Sequence, residues 1–395
     1  MPQKSTVKVN PEVLIWLRES SGISPEEVSA YLEVSVDVIL QWEQGEKYPT
    51  FSQIKEMARL YKRPSAAFLL PEPVYERPLP PDFRSFSHDP PPLTKKTLLA
   101  IRKARDLQAI SGELMENLGI KSDADVSRVR LRNDAAKIAH IERNKLGISL
   151  DEQFRWKNNY EAFKRWRESI ELQKISVFQF PMKIEEIRGL SLTDALPYTI
   201  LINSSDSINA RIFTLLHEYA HILLHKPALC TPENQAKVGR GQNFERWCNN
   251  FAGAFLLPSE GIEQDFEQFG IARYGRIAGK YKVSRSAALT RLLVLELIPR
   301  SLYESEQNEL KQQELEREQK RLEKERLKKE QKEQVEGASD RSGGINPVQR
   351  ASGERGETFV SLVRENLYRG FITHSDALDY LNVKIKHLKE LQMTP

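Results

Sequence analysis

The spacing of apolar positions switches period several times along the chain, and each switch predicts a change of element. Between residues 8 and 72 apolar residues recur three and four apart, the mark of short helices packed on one core. Pro11 to Ser20 carries Val13, Leu14 and Leu17 on one face. Ser24-Pro25-Glu26-Glu27 is a helix start, with an N-cap Ser, a Pro in the first turn and a Glu three residues on. That helix carries Val28 and Leu32, and a turn at Glu33-Val34-Ser35 leads to another from Val36 to Gln44, ended by Gly45. Thr50 opens a helix from Phe51 to Tyr61, and Ser65 to Leu70 makes a fifth. Two helices joined by so tight a turn predict a helix-turn-helix bundle over 1–72.

A proline-rich joint follows, with 73–92 as an extended linker. Leu93 to Leu118 and Ser122 to Leu146 read as helices, and 151–174 as a further helical stretch whose Phe154, Trp156, Phe163 and Trp166 supply core. The period then drops to that of strands. Ile175 to Phe180, Ile187 to Leu192 and Tyr198 to Asn203 are short β-branched or aromatic runs, which predict a small sheet. Ser204-Ser205-Asp206-Ser207 leads into an apolar helix over Ile212 to Leu224. Asn243 to Leu257 is a return helix stopped at Pro258, and helices near 259–270, 271–281 and 284–298 complete a domain over 93–300. Residues 301–342 form a charged spacer. Its Glu316/Lys320 and Glu325/Lys329 pairs sit four apart and support a solitary solvated helix, because its leucines keep no seven-residue repeat. A flexible break from Gly337 to Gly353 precedes a C-terminal module over 343–395, read as a helical hairpin within Thr358 to Gln392. The expected fold class is α+β, mostly helical, with one small sheet against the apolar central helix.

Composition narrows the setting. Hydrophobic residues make up 39% and charged residues 29%, enough for a globular core beside some highly charged segments. Only two cysteines occur, Cys230 and Cys248, so no disulfide framework is expected and a reducing compartment fits. With no apolar leader and no run of about 18 apolar residues, a cytoplasmic protein with no membrane partner is expected. The net charge of +4 does not by itself argue for nucleic acid. Residues 1–72 hold eight Lys/Arg against ten Asp/Glu, and the second helix of the helix-turn-helix carries Asp37 and Glu43 with no Lys or Arg. DNA affinity draws largely on cations at phosphates. Gln41 and Gln44 are the candidate readers of base edges there, or of a partner protein.

The chemistry lies in the central helix. His217-Glu218-Tyr219-Ala220-His221 places two imidazoles one turn apart on one face, able to close on one metal ion, with Glu218 beside them as a general base. A third donor is needed. His225 lies eight residues from His217, about 12 Å along a helix, and suits a helix end better than joint ligation. Cys230 and Cys248 are more simply core. Glu245, on the return helix, is the better-placed donor. It shares a face with Asn249, which could hydrogen-bond a ligand imidazole, and with the small Ala252, which would let the helices approach.

FTLLHEYAHILLH followed by FERWCNNFAGAFLLP resembles the ImmA/IrrE family of metallopeptidases, which pairs H-E-x-x-H with a later E-x-x-x-N-x-F-A-x-x-x-L-x-P segment. WEQGEKYPT resembles the end of the recognition helix in XRE-type helix-turn-helix domains. The resemblance spans residues 8–300. It implies a reduced thermolysin-like (gluzincin) core, with His217, His221 and Glu245 as zinc ligands and Glu218 as catalytic base. It also implies cleavage of an XRE-type repressor to induce stress or mobile-element genes. The alternative is a DNA-binding regulator or antitoxin-like partner with an idle metal site. Two further expectations belong to the mechanism. The strand from Tyr198 to Asn203 is taken as an edge for an extended peptide, and His225, Tyr219 and Tyr281 are the candidates for oxyanion stabilisation.

Overall fold

The computed structural model describes residues 6–74, 93–124, 126–225, 228–230, 240–333 and 346–387. Of the proline-rich linker over 73–92, residues 75–92 lie outside them, as do residues 334–342 of the charged spacer over 301–342.

The N-terminal bundle comprises α1 (Pro11–Glu19), α2 (Pro25–Leu32), α3 (Val36–Glu43) and α4 (Phe51–Tyr61), closed by a 3-10 turn, Ser65–Leu69, where a fifth helix was expected. Ser24 and Glu27 form a reciprocal capping box at the start of α2, and Thr50 and Gln53 do the same for α4. Val13, Leu17, Val28, Ile39, Ile54 and Phe68 make its core.

The next elements are α5 (Lys95–Asn117), α6 (Ala135–Lys145), α7 (Leu150–Arg155) and α8 (Asn159–Glu171). The helix expected over Ser122 to Leu146 is helical only in its second half. Residues 121–124 and 126–134 are non-regular, and Asp134 caps α6 by accepting from the Lys137 amide. The single stretch expected over 151–174 is broken, because the Asn158 carboxamide accepts from the Tyr160 and Glu161 amides and starts a new helix.

Strands β1 (Ser176–Phe180), β2 (Gly189–Leu192) and β3 (Thr199–Asn203) precede α9 (Ile208–Leu223), and β4 (Ala228–Cys230) precedes α10 (Arg240–Leu256). The sheet order is β1-β3-β2-β4, with β1 parallel to β3 and the other pairs antiparallel. β3 is therefore central. The expectation that this strand offers a peptide-binding edge is corrected: both its sides are taken, and the edges are β1 and β4.

Strand periodicity sorts the sheet into two faces. Val177, Ile200 and Ile202 join a core with α8, α9 and α10, where Trp166 packs edge-on against Trp156 and Phe255. Phe178, Leu190, Leu192 and Leu201 face the other way, onto α5. The buried Gln108 of α5 donates to the carbonyls of Ala195 and Pro197 (both 3.0 Å) and so pins the β2–β3 connection.

After α10 come α11 (Ser259–Phe269), a 3-10 turn, α12 (Tyr274–Tyr281), α13 (Arg285–Val294) and the long charged α14 (Arg300–Glu333). The C-terminal module holds three helices where a hairpin was expected: α15 (Pro347–Arg355), α16 (Glu357–Tyr368) and α17 (His374–Leu381). α15 falls inside the expected flexible break, begun by an Asn346 cap and Pro347. Val360, Val363, Ala377 and Leu381 of these helices share the core of the second sheet face. The chain is mostly helical with one small sheet, an α+β protein. Among the described residues, no helix is long and apolar enough to cross a membrane.

Candidate metal centre

Asn203 ends β3 and aims the chain into α9. Its side chain accepts from the Met182 and Ser205 amides and donates to the Ile187 carbonyl, tying three segments together (2.9, 3.0 and 2.8 Å). Ser207 then caps α9 by accepting from the Ala210 amide. Nearly every residue from Ile212 to Leu223 is buried, because α9 lies between the sheet and α10. His217, Glu218 and His221 are therefore held inside the protein.

α10 returns alongside α9 and brings Glu245 to the pair. Glu245 Oε2 lies 3.2 Å from His217 Nε2, Oε1 lies 3.3 Å from His221 Nε2, and the two Nε2 atoms are 3.1 Å apart. A tetrahedral zinc with bonds of about 2.0–2.1 Å requires donors about 3.3 Å apart. The donor set fits such an ion, and among the described residues it is the one His/Cys/Asp/Glu group that could hold a metal. His217 Nδ1 donates to Asn249 Oδ1 at 2.9 Å, which leaves Nε2 facing the other two donors. Ala252 is fully buried one turn beyond Asn249.

The electrostatics favour deprotonated donors. Burial pushes the His221 imidazole below its ordinary value, against the opposing hydrogen bond of Glu245. Burial also works against ionised Glu245, but the hydrogen bonds of His217 and His221 outweigh it and hold the carboxyl well below the usual range. Glu218 is fully buried beside His217, where the bare backbone of Gly189 in β2 faces it. A Cβ on Gly189 would come within 3.4 Å of Glu218 Cγ and 2.5 Å of Thr214 Cγ2. Sequence reasoning missed this contact, since nothing local to Gly189 reports which helix lies over it.

The structure does not bring the remaining candidates to the donor group. The Tyr219 hydroxyl is buried and donates to Glu142 of α6 at 2.6 Å, and Tyr281 is buried on α12, edge-on to Phe154. The Tyr219 hydroxyl is thus already committed to α6. His225 lies just past α9 in a left-handed conformation (φ 50°), with Nδ1 3.4 Å from the Tyr198 hydroxyl. Cys248 is buried outside the donor group, and the side chain of Cys230 lies outside the described residues. In the N-terminal bundle Gln44 is exposed and Gln41 half-buried. Glu43 is clamped by Arg18 (Nε–Oε1 2.6 Å), so Asp37 is the one acid of α3 without that neutralisation.

Residues 170–293 match the family model of the IrrE N-terminal-like domain, a peptidase family. Residues 14–68 match the helix-turn-helix family, a DNA-binding fold of the XRE type. No curated protein matches the chain. The peptidase match begins at the end of α8 and closes within α13, so it takes in the whole sheet and both donor helices.

Proposed function

We propose that this chain is a zinc-dependent endopeptidase that cleaves a protein, an XRE-type transcriptional repressor, and thereby releases stress or mobile-element genes. The observation that carries the reading is the convergence of His217, His221 and Glu245 beside a buried Glu218, within a segment that matches a peptidase family. Three protein donors leave one position of a tetrahedral ion open, the pattern of catalytic rather than structural zinc. A bound zinc supplies Lewis acidity, polarising a carbonyl and lowering the pKa of water toward ~7.

The protein groups do the rest. Asn249 fixes the tautomer of His217. Glu218, as general base, takes the proton of the attacking water at its carboxylate and hands it to the amine of the broken peptide bond. Packing of β2 and α10 around α9 keeps bulk water from that carboxylate. We assign residues 93–300 to cleavage and 1–72 to recognition of the repressor or its DNA site.

The test uses the full chain, its metal content and a co-encoded repressor as substrate. Stoichiometric zinc and specific cleavage by the wild type, with zinc retained and cleavage lost in Glu218→Gln, are expected. Equal cleavage by Glu218→Gln would reject the base assignment. A second reading, a DNA-binding regulator with an idle metal site, rests on the helix-turn-helix match and on the neutralisation of Glu43 by Arg18. Sequence-selective operator binding by a chain that never cleaves would select it.

A further inference from the structure

The N-terminal bundle carries an open groove that the proposed chemistry does not use. Its volume is about 520 Å³, within the range of clefts that accept several side-chain-sized groups. Tyr31, Leu32 and Glu33 line one side, at the end of α2 and its turn, and Thr50, Ser52 and Glu56 line the other, at the start of α4. No lining residue belongs to α3.

Both walls are fixed by hydrogen bonds. Glu33 stands in the left-handed conformation (φ 55°). The turn around it is clamped by the Val34 amide on the Ser29 carbonyl (3.2 Å) and by the Ser29 hydroxyl on the Val34 carbonyl (2.6 Å). Across the groove, Thr50 and Gln53 form their reciprocal capping box, so the positive start of α4 already has acceptors. The charge of the groove has one sign. Glu33 and Glu56 are the charged residues that line it. The last turn of α2, whose carbonyls carry partial negative charge, has no Lys or Arg. Glu33 is exposed and, among the described residues, has no ion-pair partner within the chain. At the rim, Arg59 of the same chain sets a guanidinium on Glu56 Oε1 (2.6 Å), and the Tyr31 hydroxyl donates to Oε2 at 3.5 Å. Tyr31 remains 47% exposed, and Phe51, between the lining residues Thr50 and Ser52, 46%.

We propose that this groove docks a basic, extended segment of a partner protein, whose Lys or Arg side chains lie between Glu33 and Glu56 against the Tyr31 ring. Carboxylates take the cationic head, while an aromatic face takes both the cation and the apolar stem behind it. The bond of Arg59 to Glu56 is the same contact made within the chain. Duplex DNA is the poorer partner here, because it binds through cations on its phosphates, and the exposed Asp37 at the start of α3 extends the negative sign. The inference rests on the assignment of residues 1–72 to recognition, and it gives that recognition a partner class: a protein with a basic segment.

The test is peptide binding by the full chain carrying Glu218→Gln, read by fluorescence anisotropy. The probes are a labelled peptide alternating Lys and Ala and its counterpart alternating Glu and Ala. The basic probe is expected to bind more tightly, and added salt to narrow the difference. Each exposed contact contributes about three-fold, so Tyr31→Ser, Glu33→Gln and Glu56→Gln together weaken the basic probe roughly 30-fold. Glu33→Lys with Glu56→Lys reverses the preference, a gain that a misfolded chain cannot imitate. Glu12→Lys with Glu19→Lys makes the same change of net charge on α1, which does not line the groove, and leaves the basic preference in place. Equal affinity for both probes, a triple variant that binds as before, a groove pair that keeps its basic preference, or an α1 pair that also reverses it overturns the proposal. So does a labelled DNA duplex that binds more tightly than the basic probe and is weakened by Tyr31→Ser. Binding needs no turnover. A chain that selects the basic probe through the groove yet cleaves nothing would refute the peptidase reading alone, and one that cleaves yet ignores the basic probe would refute the docking alone.

Discussion

Gly189→Ala tests whether the sheet positions the proposed base. The new Cβ would lie 2.5 Å from Thr214 Cγ2, 3.1 Å from the Leu201 carbonyl oxygen and 3.4 Å from Glu218 Cγ. Carbon atoms pack at about 3.5–4.0 Å, so the first contact is short by about 1 Å. The site is buried on every side, and β2 is paired with β3 and β4, so the strand cannot slide away. Overpacking of this kind costs about 1–3 kcal/mol, read as a lower midpoint of denaturant unfolding. The displacement falls on α9 at the turn that carries Glu218, and a catalytic group misplaced by about 1 Å loses about 100-fold in rate. Thr214→Ser removes the clashing methyl, so Gly189→Ala with Thr214→Ser should recover most of the lost stability and activity, a coupling a double-mutant cycle measures directly. Zinc content should stay constant throughout, since none of the contacts involves a donor. A Gly189→Ala chain with wild-type stability and rate, or a clash that Thr214→Ser does not relieve, would refute the reasoning.

Asn249→Ala should weaken zinc about 10–100-fold in a chelator competition, because His217 loses the acceptor that sets its tautomer. Tyr219→Phe should destabilise the chain by about 1–3 kcal/mol, since Glu142 is buried and loses its hydroxyl donor, while turnover per folded molecule stays unchanged. Burial, with Arg355 adding to it, pushes Lys103 down to about 8. The unfolded chain therefore binds the extra proton between that value and about 10.4, so stability should rise with pH across this window and Lys103→Met should remove the rise. Thermal unfolding of both chains at a series of pH values checks the sign, and a Lys103→Met chain that keeps the full rise would contradict it.

Features with a local cause were legible in the sequence, and those decided by distant neighbours were not. The donor helix shows itself because two His four apart inside an apolar run leave few structural alternatives, and Glu245 follows from the length of a return helix. The three longer strands show their β-branched and aromatic runs, yet their order depends on hydrogen bonds between segments far apart in sequence, so β3 was misjudged as an edge. β4 spans Ala228–Cys230, too short to register as a period. Val126, Val129 and Leu131 fit a helical spacing, yet the backbone there is irregular and turns where the Asn133 amide donates to the Arg130 carbonyl. Asn158 and Asn346-Pro347 were signals of a kind the sequence does print. Each lay within a stretch whose dominant character, aromatic in one case and Gly/Ser-rich in the other, pointed elsewhere.

The C-terminal helices bear on how the metal centre is held. Arg167 of α8 is buried and pairs with Glu171 at 2.8 Å, and its remaining donors reach the carbonyls of Val177 in β1 and Gly353 in α15. Arg355, also buried, donates to the Tyr380 carbonyl at 2.6 Å. A buried guanidinium needs its hydrogen bonds met, so α15 is part of what makes Arg167 tolerable beneath β1. The same helices cover Phe178, Leu190 and Leu201, the reverse side of the sheet whose front carries α9. Removing residues 346–387 would strip a donor set of its acceptor and open an apolar sheet face to water at once. The spacer α14 therefore leads to a segment that folds back onto the protein, and the rigidity of the sheet behind His217, Glu218 and His221 depends on chain that arrives more than a hundred residues later.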